Sequence, residues 1–275
     1  MPGRLLLHWS DRALLVRIFL QECVRQRQAR QSPSIEPTIS SWDNKAVLTR
    51  SILERHPLWG TQEPFQSNIP GMLTQSEKQY YSYLPKFYQG QGDVVELGPW
   101  LGLSTSILIQ GLLKNPLFKD RKMFVFDDFV WRASWMGKWL QDEDLDEPPN
   151  YGSFLPLFQE QMKEYAEHLS VERQKIADYQ GNEELPTLSW SRGRIELLIV
   201  DCGRQLHVNE AWYRILSPHF IPDRTMIVMQ DWQNFKRVPE VFWENTKIFT
   251  DSKGDALDMI HEVDNAGLAT FLYRG

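Results

Sequence analysis

Cysteine is almost missing from this chain. Cys23 and Cys202 are the only two in 275 residues, with no Cys-x-x-Cys spacing. That excludes a disulfide framework and a thiolate zinc site, and a reducing cytoplasm is the expected setting. An excess of positive charge is missing too. Lys and Arg total 30 against 36 Asp and Glu, for a formal net charge of −6. A broad basic field for nucleic acid is therefore not expected. Long apolar runs are also lacking: Ala13 to Leu20 is apolar, but Asp11, Arg12 and Arg17 interrupt the window. It is far too short for a membrane span, so no transmembrane segment is expected. No internal repeat or low-complexity tract occurs.

What is present is a weakly patterned start followed by regular alternation. Leu14, Leu15, Ile18, Phe19 and Val24 can share one helical face, with Arg12, Arg17, Arg25, Arg27 and Arg30 largely elsewhere. We read this as a helix packed on the main domain with a solvated basic side, and a homodimer through it is a second reading. Ser/Pro-rich Gln31 to Pro37 and the Pro/Gly-rich stretch Pro57 to Pro70 flank a short helix near Lys45 to Arg55. Residues 1–70 are thus expected to form an N-terminal helical extension and residues 71–275 the main domain. The pattern there predicts a helix from Ser76 to about Phe87, a strand Asp93 to Leu97, a helix Ser104 to Leu113 and a strand Lys122 to Phe126. An acidic, proline-rich excursion Gln141 to Gly152 precedes a helix Phe154 to Leu169. Strand Glu196 to Val200, a helix from Val208 and strand Thr225 to Met229 follow, with further strand candidates near Lys247 to Thr250 and Leu268 to Tyr273. Continuous apolar strands alternating with helices predict an α/β protein with a mainly parallel sheet, covered on both faces.

The densest signal is Glu96-Leu-Gly98-Pro99-Trp100-Leu-Gly102-Leu-Ser104-Thr105, an apolar strand breaking into a turn and then a helix. Gly98 is free to take a positive φ, and Ser104 reads as the N-cap of the helix. A loop of this kind at the carboxyl end of a parallel strand is where open α/β sheets bind nucleotide-like ligands. The dinucleotide fingerprint needs three glycines presenting backbone N–H groups to a pyrophosphate. Here the third glycine is missing, Pro99 supplies no N–H, and Glu96 would repel phosphate. A nicotinamide dehydrogenase is therefore disfavoured. The acidic-x-Gly-x-x-x-Gly-x-Ser/Thr pattern resembles the first motif of class I S-adenosylmethionine (SAM) methyltransferases. That resemblance implies a Rossmann-like fold with a mainly parallel seven-stranded sheet, and it makes Glu96, Gly98, Pro99, Trp100, Gly102, Ser104 and Thr105 cofactor-binding candidates.

Acids at other strand ends extend the pattern. The run Lys122 to Phe126 ends in Asp127-Asp128, where the resemblance places the acceptor of the ribose hydroxyls; Asp127 is preferred because it directly follows the run, and an ionised carboxylate can take both hydroxyls. For the adenine contact that the resemblance places in this region, Asn182, in Gln180-Gly181-Asn182, is the candidate, with Asp178 competing. Asp201 follows the strand Glu196 to Val200, and Gln230-Asp231 follows Thr225 to Met229. If these strands are neighbours, Asp201 and Asp231 converge. They could then hold a hard cation such as Mg²⁺, with Gln230 as third ligand, or Asp201 could act as a metal-free base. His207, at the start of the next helix, is the second catalytic candidate; His219 is expected to be structural.

The segment Ile195 to Trp232 resembles metal-dependent sugar O-methyltransferases and cephalosporin-hydroxylase-like proteins. Two departures stand out: Gln230 where a carboxylate ligand is usual, and Arg204 near the place of a histidine base. Phe126 to Trp131, Trp135-Met136 and Gln230-Asp231-Trp232 also resemble a little-characterised bacterial group of SAM-methyltransferase-like proteins associated with glycan assembly. Trp100, Trp131, Trp135, Trp139 and Trp232 gather near the predicted loops, where aromatic faces suit a sulfonium or a sugar. Arg132 and Lys138 could meet an anionic group. These resemblances imply methylation of a hydroxyl on a saccharide or other polar small molecule. The alternative is a silent SAM-binding accessory protein in glycan or natural-product assembly.

Overall fold

A computed structural model describes residues 63–140, 145–236, 241–263 and 266–275. The predicted N-terminal amphipathic helix, the joint after it, the short helix near Lys45 to Arg55 and part of the acidic excursion lie outside the described residues.

The described chain builds α1 (Gln75–Tyr83), β1 (Asp93–Leu97), α2 (Leu103–Leu113), β2 (Met123–Asp127), α3 (Leu155–Gln161) and β3 (Leu169–Arg173). Then come β4 (Ile195–Val200), α4 (Leu206–Leu216), β5 (Met226–Met229), α5 (Val241–Ser252), β6 (Leu257–Glu262) and β7 (Ala269–Tyr273). The strands form one seven-stranded sheet in the order β3-β2-β1-β4-β5-β7-β6. Strands β1 to β5 run parallel, and β7 is inserted antiparallel between β5 and β6. This is the Rossmann-like methyltransferase fold, with its mainly parallel seven-stranded sheet, that the motif implied.

Why the strands are apolar throughout follows from their two-sided burial. Alternate residues feed different cores, because successive side chains of a strand point to opposite faces. Val94, Leu197, Ile199, Met226 and Val228 pack with Ile107, Leu108 and Leu112 of α2 and with Tyr80 and Tyr81 of α1. Val95, Leu97, Leu198, Val200, Ile227 and Met229 pack instead with Trp212 and Leu216 of α4 and Phe249 of α5.

Three expectations need correction. Phe154 to Leu169 is not one helix: α3 ends at Gln161, 3₁₀ turns cover Lys163–His168, and Leu169 begins strand β3. The turns bury no residue fully and set only the half-buried Tyr165 against the core, too little apolar contact to hold a longer helix there. Lys247 to Thr250 is no strand but part of α5, where Thr246, Phe249 and Thr250 are buried at helical spacing. Tertiary packing overrides β-branched propensity there. Strand β6 went unpredicted.

The amino-terminal edge of the sheet is sealed by a buried ion pair. Glu196 is 1 % exposed and Arg224 7 %. Glu196 Oε1 accepts from Arg224 Nε at 2.9 Å and from the Gln89 amide at 2.6 Å; its Oε2 accepts from the Gln91 amide at 2.6 Å and the Gly92 amide at 3.2 Å. Arg224 also donates to the Phe87 carbonyl. With every lone pair used, the charges repay much of their desolvation, but removing one partner strands the other. Arg224→Leu is expected to lower the unfolding free energy by about 3–5 kcal/mol in urea titrations, with partial recovery in Glu196→Gln/Arg224→Leu.

Candidate functional site

The open end of the sheet is the carboxyl edge, and backbone hydrogen bonds fix how its residues line up. Each parallel ladder runs one step past the strand. Gly98 N donates to Phe126 O at 2.9 Å, Asp201 N to Leu97 O at 2.8 Å, Gln230 N to Val200 O at 2.9 Å and Gln174 N to Asp127 O at 2.9 Å. The residues just beyond β1, β3, β4 and β5, and Asp127 at the end of β2, therefore share one rim.

A cavity of about 270 Å³ opens over this rim. It is lined by Gly98, Trp100, Asp127 and Asp128, by Arg132, Trp135, Met136 and Phe154, by Gln174, Ile176, Ala177 and Tyr179, by Asp201, Cys202, Arg204, Gln205 and Val208, and by Met72. Gly98 has φ +83°, and a Cβ there would sit 2.9 Å from the Asp201 backbone. Only glycine lets β1 turn away this close to the end of β4.

Glu96, by contrast, does not line the cavity. It is fully buried, accepting from Ser104 Oγ at 2.5 Å and Thr105 Oγ1 at 2.6 Å. Burial pushes its carboxyl up to about 7, with the two hydroxyls pulling the other way. Ser104 is thus not the N-cap of α2. Gly102, at φ +100°, takes that position with no side-chain cap, and Ser104 and Thr105 latch the helix to the strand through Glu96. Pro99 closes the turn by accepting from the Gly102 amide at 2.9 Å. Trp100 lines the cavity in the left-handed region, φ +46°, beside Trp135 with ring centroids 6.5 Å apart. Its buried indole N–H has no hydrogen-bond partner among the described residues.

The Asp127-Asp128 pair divides its work. Asp128 accepts from Val130 N at 3.0 Å, Arg132 Nη1 at 3.1 Å, Arg132 Nη2 at 2.7 Å and Asn182 Nδ2 at 2.8 Å. Burial raises its pKa, but the arginine and amide donors outweigh that, and the net shift is downward. Asp127 accepts from the Phe129 amide at 2.6 Å through Oδ1. Burial, with the neighbouring Asp128 charge, pushes it up to about 8. Asn182 is buried and committed to Asp128, to the Ala177 carbonyl at 3.1 Å and to the Tyr179 amide at 2.8 Å; it braces the loop and does not line the cavity. Arg132 also serves Asp128, but it does line the cavity.

Across the rim, β4 and β5 bring Asp201 and Asp231 together, so that burial and then the Asp231 charge drive Asp201 well above the usual carboxylate range. Among the described residues, no donor is bonded to the Asp201 carboxylate. Asp231 accepts from Arg204 Nε at 2.6 Å and Asn234 Nδ2 at 3.0 Å. Gln230 accepts from Tyr81 Oη at 2.9 Å and donates to Glu77 Oε1 at 2.8 Å. Glu77 in turn holds the Gly267 amide at 2.9 Å. No group of three His, Cys, Asp or Glu able to hold a metal occurs among the described residues. His207 is exposed on α4 and does not line the cavity; its ring lies 6.0 Å from that of Tyr179. Trp131 and Trp232 are core residues, their indole N–H groups donating to Glu147 at 2.9 Å and Thr250 at 3.1 Å. The Trp139 side chain lies outside the described residues.

Sequence reasoning does not find Gln174, Ile176, Ala177 and Tyr179, because it predicts no strand after the helix expected to end at Leu169, and β3 covers Leu169–Arg173. It also missed Met72, and Tyr81 and Glu77, which reach the rim from α1. The capping box of α1, Thr74 with Glu77, was a readable signal for that helix start, since Glu77 accepts from the Thr74 amide at 2.7 Å.

No protein-family model matches the chain, and no curated protein matches it. Solved structures do. The chain is similar to the O-methyltransferase NovP, at 14 % identity over 85 % of this chain and 100 % of that one, with a TM-score of 0.47. It is similar to the SAH-bound methyltransferase PaMTH1 of Podospora anserina, at 10 % identity over 100 % of both chains, TM-score 0.48. A third is CalS11, a TDP-rhamnose 3′-O-methyltransferase of calicheamicin biosynthesis, at 12 % identity over 86 % and 96 %, TM-score 0.44.

The rim carboxyls make stability depend on pH. Asp127 and Glu96 have folded pKa values of about 8 and 7, above the ordinary 3.8 and 4.5. Between those limits the folded state binds more protons than the unfolded one, so the stability these two carboxyls contribute is fully present below their ordinary pKa values and is lost as pH rises through their folded ones. Urea unfolding of wild type at pH 5 and pH 8 should show that fall. In Asp127→Asn, a neutral isostere, the fall should shrink by on the order of 1 kcal/mol.

Proposed function

We propose that this chain is a SAM-dependent methyltransferase acting on a hydroxyl of a small polar acceptor, with a saccharide hydroxyl as first choice. One observation carries the reading: the glycine turn after β1 and the Asp127 carboxyl, whose one backbone donor is Phe129 N, border one cavity at the carboxyl edge of the sheet. Parallel α/β sheets bind nucleoside ligands at that edge. Gly98 and Trp100 form its floor, and Pro99, with no N–H to give, makes the turn a poor phosphate cradle. Asp127 would accept the ribose hydroxyls while Gln174, Ile176 and Ala177 flank the base. Glu96 acts through the latch to α2 and touches no ligand.

Bound SAM supplies an electrophilic methyl group on a sulfonium. The chain's own contribution is to hold the acceptor against it and to take up the hydroxyl proton. Asp201 suits that second task, since it lines the cavity, has acceptor capacity to spare, and has its proton affinity raised by burial and by Asp231. Trp100 and Trp135 offer aromatic faces on which a sugar ring can rest. The commitment of Gln230 to Tyr81 and Glu77 favours a second reading, a SAM-binding accessory protein without turnover.

Calorimetry tests the binding step. Wild type is expected to bind SAM and its demethylated product with micromolar Kd and to ignore NAD. At a pH above 8, where Asp127 is ionised, Asp127→Asn should weaken binding about tenfold or more, as expected for a lost hydrogen bond to a charged group. Absence of binding to wild type would remove both readings. With an acceptor identified by metabolite screening, turnover lost in Asp201→Asn but with SAM still bound would favour the enzyme; no turnover with any acceptor would favour the accessory protein.

A further inference from the structure

The residues at the β4–β5 rim fit a divalent cation poorly. A Mg²⁺ site needs oxygen donors with lone pairs to give, commonly one or two carboxylates completed by water. The sequence offers Asp201, Gln230 and Asp231 at the right strand ends. Yet the Gln230 carbonyl oxygen already accepts from Tyr81 Oη at 2.9 Å, and its amide is turned to Glu77 Oε1 at 2.8 Å. Both oxygens of Asp231 are engaged, Oδ2 by Arg204 Nε at 2.6 Å and Oδ1 by Asn234 Nδ2 at 3.0 Å. The Asp231 side chain is 18 % exposed and that of Arg204 35 %, so this pair is shielded from water more than an ordinary surface pair. Of three prospective ligands, only Asp201 has both oxygens without a donor among the described residues.

We infer that the Arg204 guanidinium is a built-in cation that takes the place of a divalent metal beside Asp201 and Asp231, and that the site works without one. The reasoning is electrostatic and independent of what the cavity binds. Two partly buried carboxylates side by side are relieved by a proton on one of them or by a cation close to both, and the Arg204 charge acts on Asp201 as well as Asp231. Arg204, three residues beyond Asp201, is held against Asp231, with its guanidinium 6.0 Å from the Trp135 ring centroid. A guanidinium cannot be deprotonated here and carries no exchangeable ligands, so it offers charge and orientation but no bound water. Arg204 thereby becomes a positioning residue, and Asp201 keeps the free lone pairs a proton acceptor needs.

Mn²⁺ alone, titrated into the full-length chain and followed by electron paramagnetic resonance, tests this without substrate. Wild type is expected to show no stoichiometric Mn²⁺ binding. Arg204→Met, which keeps the stem and removes the charge, should uncover the carboxylate pair and gain about tenfold or more in Mn²⁺ affinity. Arg204→Gln is a second neutral variant should the first fold poorly, and circular dichroism reports the fold of both. Arg204→Lys should exclude Mn²⁺ as wild type does, and Arg204→Met/Asp231→Asn should lose the gained site. Stoichiometric binding to wild type that Asp231→Asn abolishes would overturn the inference. So would folded neutral variants that bind no Mn²⁺, since the guanidinium would then not stand where a cation can. Neither outcome bears on whether the cavity takes SAM, which calorimetry with SAH reads separately.

Discussion

The constraint on which everything else rests is the flush ending of parallel strands. A parallel ladder forces neighbouring strands to stop in register, and here the backbone pairs continue one residue past the ends of β1, β3, β4 and β5. Whatever follows those strands is delivered to one line. The chain places Gly98, Asp127, Asp201 and Gln230-Asp231 there, residues separated by more than a hundred positions in sequence. Because β7 enters antiparallel beside β5, the line stops at Asp231. At the opposite edge the Glu196–Arg224 pair consumes its own charge and the nearby amides. One edge is closed by satisfied polar groups and the other is left to form a cavity.

That line concentrates carboxylates, and the structure disposes of them in distinct ways. Glu96 is taken inward and capped by two hydroxyls from the first turn of α2. Asp128 is neutralised by Arg132 and braced by Asn182. Asp231 is neutralised by Arg204. Each of these has traded its lone pairs for structure. Asp201 has not, and Asp127 has given one oxygen to the Phe129 amide; both have pKa values pushed up by burial. A carboxyl held near neutrality is suited either to accepting hydroxyl hydrogens or to moving a proton. The chemistry therefore falls to the acids with the fewest internal bonds.

The sequence made the sheet legible because two-sided burial leaves an unmistakable mark: Val94-Val95, Leu197 to Val200 and Met226 to Met229 are apolar without interruption. The edge elements were not legible for the converse reason. Leu169 to Arg173 has only its first residue buried and pairs on one side, so its composition, Leu-Ser-Val-Glu-Arg, carries no clear period. Losing β3 also lost the loop behind it, and with it Gln174, Ile176, Ala177 and Tyr179. Strand-end acids could be picked out as a class, but their fates could not, since those depend on partners from distant elements. Asn182 looked like a ligand contact because it follows a glycine in a polar turn; only the fold shows that its amide is spent on Asp128 and two backbone groups. Gln230 and Arg204 were visible as departures from a metal-binding pattern. Tyr81 and Glu77, which explain the first of them, lie on a helix about 150 residues earlier.

Backbone strain marks the same rim. Trp100, Phe129 and Asp231 all have φ between +46° and +61°, a region costly for bulky side chains. Each stands within three residues of the end of a parallel strand: β1, β2 and β5 respectively. Such conformations persist only where surrounding contacts over-determine them, and those contacts are present. Phe129 is clamped by its amide on Asp127 and packed against Phe154 and Phe158. Asp231 is held by Arg204 and Asn234. Trp100 follows Gly98 and Pro99, whose φ angles are set by a missing Cβ and by a ring. What the strain achieves is the same in each case: the chain reverses immediately after the strand instead of running on across the opening. The carboxylates at the strand ends stay uncovered as a result, so the cost of three unfavourable backbone angles is what keeps the cavity open above Asp127 and Asp201.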